Sequence, residues 1–171
     1  MKNLKIKTTL LVLFIVAAVV VAGQPIPNRL IDYKEFQRIV ISSADERESH
    51  RLTEQQFITA MADRNAIILD ARTASKYQLR HIRGAVNLQF TDFTAETLAA
   101  VIPEKGTKIL IYCNNNFVGS QTAFASKVAS ASLNLSTYTS LKSYGYTNVY
   151  ELGPLLDIRR TSIPFDGTET K

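Results

Sequence analysis

Only one cysteine, two histidines, seven glycines and five prolines occur in the 171 residues of this chain. A single cysteine leaves no partner for an intramolecular disulfide, so no crosslinked framework holds the fold. The two histidines and the cysteine do not stand at metal-ligand spacing, which argues against a bound metal. No glycine-rich phosphate loop and no Ser-His-Asp arrangement is present. Internal repeats and low-complexity tracts are absent too. Strong positive charge is also missing from the body of the chain. Of the net +5, Lys2, Lys5 and Lys7 supply three charges in an N-terminal stretch without acids, leaving +2 elsewhere. No cluster of lysine and arginine interleaved with aromatics occurs, and nucleic acid is excluded as a partner on that ground.

What is present describes one ordinary globular domain behind a leader. The chain is 46% hydrophobic and 20% charged, and its length suits a single domain. Met1 to Lys7 is basic, Leu10 to Ala22 is an unbroken apolar run, and Val21-Ala22-Gly23 supplies compact residues for cleavage. Residues 1–23 thus read as a signal peptide, with an uncleaved N-terminal anchor as the alternative. The run is short against the roughly 20 residues a spanning helix needs. Either way the folded part is expected to be exported: periplasmic in a bacterium, otherwise secreted or anchored. Membrane contact is expected only through an uncleaved leader. Exported proteins commonly pair their cysteines. A lone one is either buried and inert, or free for chemistry or an intermolecular bond.

Residues 24–50 read as a partly helical extension. Phe36, Ile39 and Val40 sit at helical spacing, and Asp45 to Glu48 read as a solvated charged face. Thr53 with Gln56 three residues later makes a capping box before Phe57, Ile58 and Met61. Ala66 to Leu69, Ala85 to Leu88, Lys108 to Tyr112 and Asn148 to Leu152 read as short strands. Ser75 to Leu79, the segment capped by Thr94, Gln121 to Val128 and Thr137 to Tyr144 read as helices, with a break at Leu133 to Ser136. Short apolar strands alternating with helices predict an α/β fold with a mainly parallel sheet. In such sheets ligands bind at the carboxyl ends of strands. Asp70 ends one strand and Cys113 follows another. A thiol between a strand end and a helix start would face free N–H groups and the positive end of a helix dipole, which favour the nucleophilic thiolate. Free cysteines also serve as small buried hydrophobes, so position alone leaves both readings open.

Several motifs then align. Ile68-Leu69-Asp70-Ala71-Arg72 is followed by Tyr77 and by His81-Ile82-Arg83-Gly84-Ala85-Val86-Asn87. A strand ending at Cys113 comes next, and Tyr144-Gly145-Tyr146-Thr147-Asn148-Val149-Tyr150-Glu151-Leu152 precedes a glycine. The pattern resembles the rhodanese (sulfurtransferase) domain family and spans most of the mature chain. The resemblance implies a rhodanese-like three-layer fold over residues 51–160, with helices on both faces of a central, mainly parallel sheet and a C-terminal tail at 161–171. It implies that Cys113 carries sulfur as a persulfide, and that Asn114, Asn115, Asn116, Phe117, Val118, Gly119 and Ser120 form an anion-cradling loop of backbone N–H groups. A small sulfur donor and a thiol acceptor, small or protein-borne, are the implied partners. No cofactor is required.

The loop departs from the family pattern. Val118 stands where an arginine usually follows the cysteine by five residues, and none of Asn114 to Ser120 is basic. The loop is also longer if Ser120 opens the helix. Gly119 occupies the place of the arginine that related dual-specificity phosphatases need, so phosphatase activity is not expected. Asn114 to Asn116 read equally as shape-makers or as ligands. Phe117 reads as a lip for a partner or as inward packing, and Ser126 to Thr139 as an added helix or a partner surface. Asp70, Arg72 and His81 read as supporting residues. Asp70 and Arg72 suit a structural ion pair, with Arg72 as a source of charge for the sulfur site in the alternative. His81 suits a turn rather than acid–base work, and His50 is expected to face solvent. The resulting expectation is a sulfurtransferase that passes sulfur from Cys113 to a thiol or cyanide-like acceptor. A non-catalytic binding module and a thiol redox sensor are the alternatives.

Overall fold

A computed structural model describes residues 26–170; the expected leader at 1–23 lies outside the described residues. From Asp32 onward the chain forms one unit. Helix α1 (Tyr33–Ser42) is capped by the Asp32 carboxylate, which accepts from Glu35 N–H at 2.9 Å. Helix α2 (Ala44–Ser49) follows directly. Strand β1 (Arg51–Leu52) leads to α3 (Glu54–Met61), whose N-terminus carries the capping box expected from Thr53 and Gln56. Strand β2 (Ile67–Asp70), helix α4 (Ala74–Leu79), and the two-residue strands β3 (His81–Ile82) and β4 (Val86–Asn87) come next. Helix α5 (Ala95–Val101) is boxed by Thr94 and Thr97. Strand β5 (Ile109–Tyr112) precedes Cys113.

After Cys113 the chain makes a 3-10 turn at Asn114–Asn116 and the short strand β6 (Phe117–Val118). Helix α6 (Leu133–Ser143), strand β7 (Val149–Leu152), and strands β8 (Leu156–Asp157) and β9 (Phe165–Asp166) complete the unit. The central sheet has five strands in the order β1-β7-β5-β2-β4, and every pair in it is parallel.

Alternation along the strands builds a core on each face. Ile68, Leu110 and Tyr112 join Phe57, Phe117 and Phe124 on one side. Leu69, Ile109 and Ile111 join Leu98, Tyr138 and Leu141 on the other. Helices α3 and α4 cover the first face, α5 and α6 the second. Strand β5, wholly buried and central, thus delivers Cys113 to the carboxyl edge of the sheet. The segment after residue 160 is tied in through β9, which pairs antiparallel with β3 and lays Phe165 against Phe117.

Two sequence expectations fail between Cys113 and α6. Residues 121–128 form no helix, and α6 begins at Leu133, where a break was expected. The carbonyls an α-helix would need are captured from outside. Arg72 donates to Ala123 O at 2.9 Å, Lys76 to Thr122 O, Asn114 to Ala125 O, and Asn115 to Lys127 O at 2.8 Å. Phe124 is drawn into the core against Phe117 and beneath the Arg72 guanidinium. Local propensity loses to these tertiary contacts. The result is an irregular strap over the end of β5.

Candidate active site

Cys113 is 1% exposed. Its N–H donates to Asn116 Oδ1 at 2.8 Å, and the Asn116 N–H returns to Cys113 O at 3.2 Å. The Asn115 N–H points at Sγ from 3.4 Å, and the Ser132 hydroxyl lies 3.4 Å from Sγ on the strap side. The loop therefore differs from the expected cradle. Beyond Asn116 the chain turns away to pair β6 with β8, Phe117 is fully buried, and Val118 faces outward. Gly119 bends the chain at φ 95°, and a Cβ there would meet Ile158 at 2.9 Å. The Ser120 hydroxyl donates to Glu169 at 2.8 Å instead of opening a helix. With no helix at 121–128, the expected dipole is missing as well.

All three asparagines spend their side chains on shape. Asn114 and Asn115 hold the strap, and Asn115 Oδ1 also accepts from Lys127 N–H at 2.9 Å. Asn116 caps Cys113 and donates to Leu152 O at 2.6 Å. Phe117 packs inward between Tyr112, Phe124 and Phe165 and forms no lip.

A cavity of about 280 Å³ adjoins Cys113 at the carboxyl edge of the sheet. Its charge comes from residues outside the loop. Arg47 of α2 and Arg51 of β1 line it together with Glu151 of β7. Arg47 donates to both Glu151 oxygens at 2.6 and 2.8 Å, and Arg51 Nε lies 3.2 Å from the same carboxylate. Burial pushes the Glu151 carboxyl above its ordinary range despite the two arginines, which pull the other way. The charged run at 45–48 is thus more than a solvated face: Lys142 of α6 anchors Glu46 at 2.8 Å, and this seats Arg47 over the cavity. One local signal for this arrangement was readable. Glu151 is an acid inside an otherwise apolar strand, and a buried carboxylate needs a partner. Ser132 and Asn134 also line the cavity, and nothing in the sequence marked them.

Asp70 and Arg72 lie apart from this cavity. Both are buried, and the Arg72 side chain donates to Asp70 at 2.9 Å and 2.5 Å, to Ala123 O and to Arg80 O. Burial works against the guanidinium charge, but the bonds to Asp70 outweigh it and hold Arg72 charged. Tyr112 donates to Asp70 at 2.5 Å; burial and the neighbouring carboxylate push its phenol far above the ordinary range. The pair ties β2 to the strap and to the start of β3. His81 stacks on Tyr77 at 3.7 Å and donates from Nδ1 to Tyr77 O at 2.7 Å, which fixes a turn away from Cys113. His50 is half-buried on Tyr150, not solvent-facing, and donates to Val149 O at 3.0 Å. Among the described residues no group of three His, Cys, Asp or Glu side chains is placed to hold a metal ion.

Residues 53–153 match the family model described as a rhodanese-like domain. The chain is 30% identical over 90 residues to the thiosulfate sulfurtransferase PspE of Escherichia coli (strain K12), covering 53% of this chain and 71% of the relative. In fold it is similar to the Alr3790 protein from Anabaena sp., with a TM-score of 0.50 and 21% identity over 68% of this chain and 80% of that one. The structure of EanB/T414V in complex with hercynine also matches, with a TM-score of 0.52 and 17% identity. That likeness covers 68% of this chain but 27% of the other.

Proposed function

This chain belongs to the rhodanese-like domain family, and from that premise we propose that it is a sulfurtransferase carrying sulfane sulfur as a persulfide on Cys113. One observation carries the reading: the sole thiol stands at the carboxyl end of the central strand, beside a polar cavity holding two arginines. The chemistry is two displacements. The Cys113 thiolate attacks the outer sulfur of a donor such as thiosulfate; the donor's S–S bond breaks, sulfite leaves, and Cys113–S–S⁻ remains. A thiolate or cyanide then attacks the outer sulfur, and the Cys113 thiolate is released. The Asn115 N–H and the cavity arginines are the groups at hand to stabilise the anions. Export of the protein is part of the proposal and is supported by the basic start and apolar run of residues 1–23.

A non-catalytic binding module is the second reading. It is favoured by the near-complete burial of Sγ and by the uncharged loop. Intact mass spectrometry after incubation with thiosulfate or polysulfide separates the two. A gain of one sulfur atom, reversed by a reducing thiol and missing in Cys113→Ser, is the expected result. An intact, reduced and unmodified Cys113 would sink the enzyme reading.

A further inference from the structure

Helix α1 turns its apolar residues away from the protein. It packs against α6, and its half-buried residues are Glu35 and Ile39. At about 100° per residue, Tyr33, Phe36, Gln37, Val40 and Ile41 fall in one arc of about 140° on the other side. Tyr33, Phe36, Val40 and Ile41 are exposed at 67%, 50%, 41% and 75%. A surface helix of a globular protein normally does the reverse and points its apolar stripe at the core. The apolar surface also continues past the helix: Phe36 and Val40 line a cavity of about 470 Å³ together with Leu135 and Tyr138 of α6. Of the eleven exposed large hydrophobic residues among the described residues, seven lie between Ile26 and Ile41. So concentrated a patch marks a surface that something covers.

The neighbouring sequence identifies the cover. The apolar run Leu10 to Ala22 ends ten residues before Tyr33, and a tether of that length reaches at most about 36 Å. The run is short for a spanning helix, so a second attachment close by adds to its hold through effective concentration. Charge fits the same cover. Exposed Lys34 and Arg38 border the apolar arc beyond Ile41. The nearby acids are occupied, Asp32 by the N-cap and Glu35 by Arg38 at 2.7 Å. The stacked pair Tyr33 and Phe36 supplies aromatic rings suited to the boundary between water and acyl chains.

We propose that α1 is an interfacial membrane helix, lying in the plane of a bilayer with Tyr33, Phe36, Val40 and Ile41 against the acyl chains and Lys34 and Arg38 at the phosphate headgroups. Membrane contact then extends beyond the leader to the folded unit itself. The proposal is independent of the chemistry of Cys113.

The chain contains no tryptophan, so a single substitution reports one position. Tyr33→Trp, Ile41→Trp and Val86→Trp are made separately in the full chain. Val86 is the control: it is exposed, and β4 lies at the opposite edge of the sheet from β1. Each variant is reconstituted with vesicles of phosphatidylethanolamine and phosphatidylglycerol, with plain or brominated acyl chains, and attachment is checked by flotation. In Tyr33→Trp and Ile41→Trp the indole is expected to emit at shorter wavelength and to be quenched severalfold more by brominated chains than in Val86→Trp. Adding Phe36→Asp to Ile41→Trp is expected to remove that quenching. Water-like emission at both α1 positions overturns the proposal, as does protein that fails to float. Quenching unchanged by Phe36→Asp overturns it as well, since the tether alone would then hold the helix at the bilayer. Blue-shifted but unquenched emission gives the face to a second copy of the chain and overturns the lipid assignment.

Discussion

Arg72→Met distinguishes a structural arginine from a substrate-binding one. The substitution keeps most of the side-chain volume and removes the guanidinium from a pair whose side chains are 2% and 0% exposed. Asp70 then keeps the Tyr112 hydroxyl at 2.5 Å and the backbone N–H of residue 72 at 3.0 Å, but loses its counter-charge. Breaking one side of a buried pair typically costs about 3–5 kcal/mol. The two surviving hydrogen bonds place this case near the lower end, at about 3 kcal/mol. At about 2–4 °C per kcal/mol for a protein of this size, the melting temperature should fall by about 6–12 °C. Urea titration followed by circular dichroism gives the free energy, and a thermal scan gives the shift. The double variant Asp70→Asn/Arg72→Met should recover part of the loss, since no buried charge is left unpaired. A single variant of wild-type stability that no longer loads sulfur would refute the argument and make Arg72 a ligand for the donor.

The strap carries its own prediction: Asn115→Ala removes both side-chain bonds to Lys127. It should cost about 1–2 kcal/mol and speed alkylation of Cys113 by iodoacetamide severalfold, and an unchanged alkylation rate would show that the strap does not limit access. Glu151 gives a pH dependence. Folded Glu151 keeps its proton to higher pH than its ordinary value of 4.5, so the folded state binds more protons in that window. Stability from this group should therefore fall as pH rises from about 4.5 towards the folded value. Carboxyl carbon NMR should place the Glu151 midpoint above 4.5, and a midpoint below it would show that the arginines outweigh burial.

Four of the five strands, β2, β4, β5 and β7, were legible as short, mostly apolar runs between turn signals, whereas β1, an arginine and a leucine, carries no such pattern. The α3 start was legible because the capping box lies within four consecutive residues. The strap was not. Its helix-forming pattern is overruled by donors 51 and 46 residues away, at Arg72 and Lys76. The cavity charge was hidden for the same reason: Arg47 and Glu151 are 104 residues apart. Strand β9 was missed because two residues carry no periodicity.

The edge position of β1 bears on the order of assembly as the chain emerges N-terminus first. Arg51 and Leu52 pair only with Glu151 and Leu152, so β1 waits for nearly the whole domain to emerge before it can dock. Cys113 emerges earlier, with neither Ser132, Asn134 nor Glu151 yet available to cover it. Pairing across so long a stretch of chain is slow to form. The thiol therefore stays unshielded until the later part of the domain is in place, as do the core residues of β5 that pair with β7. Docking of the N-terminal segment against β7 marks the moment at which that thiol acquires the surroundings of the finished protein.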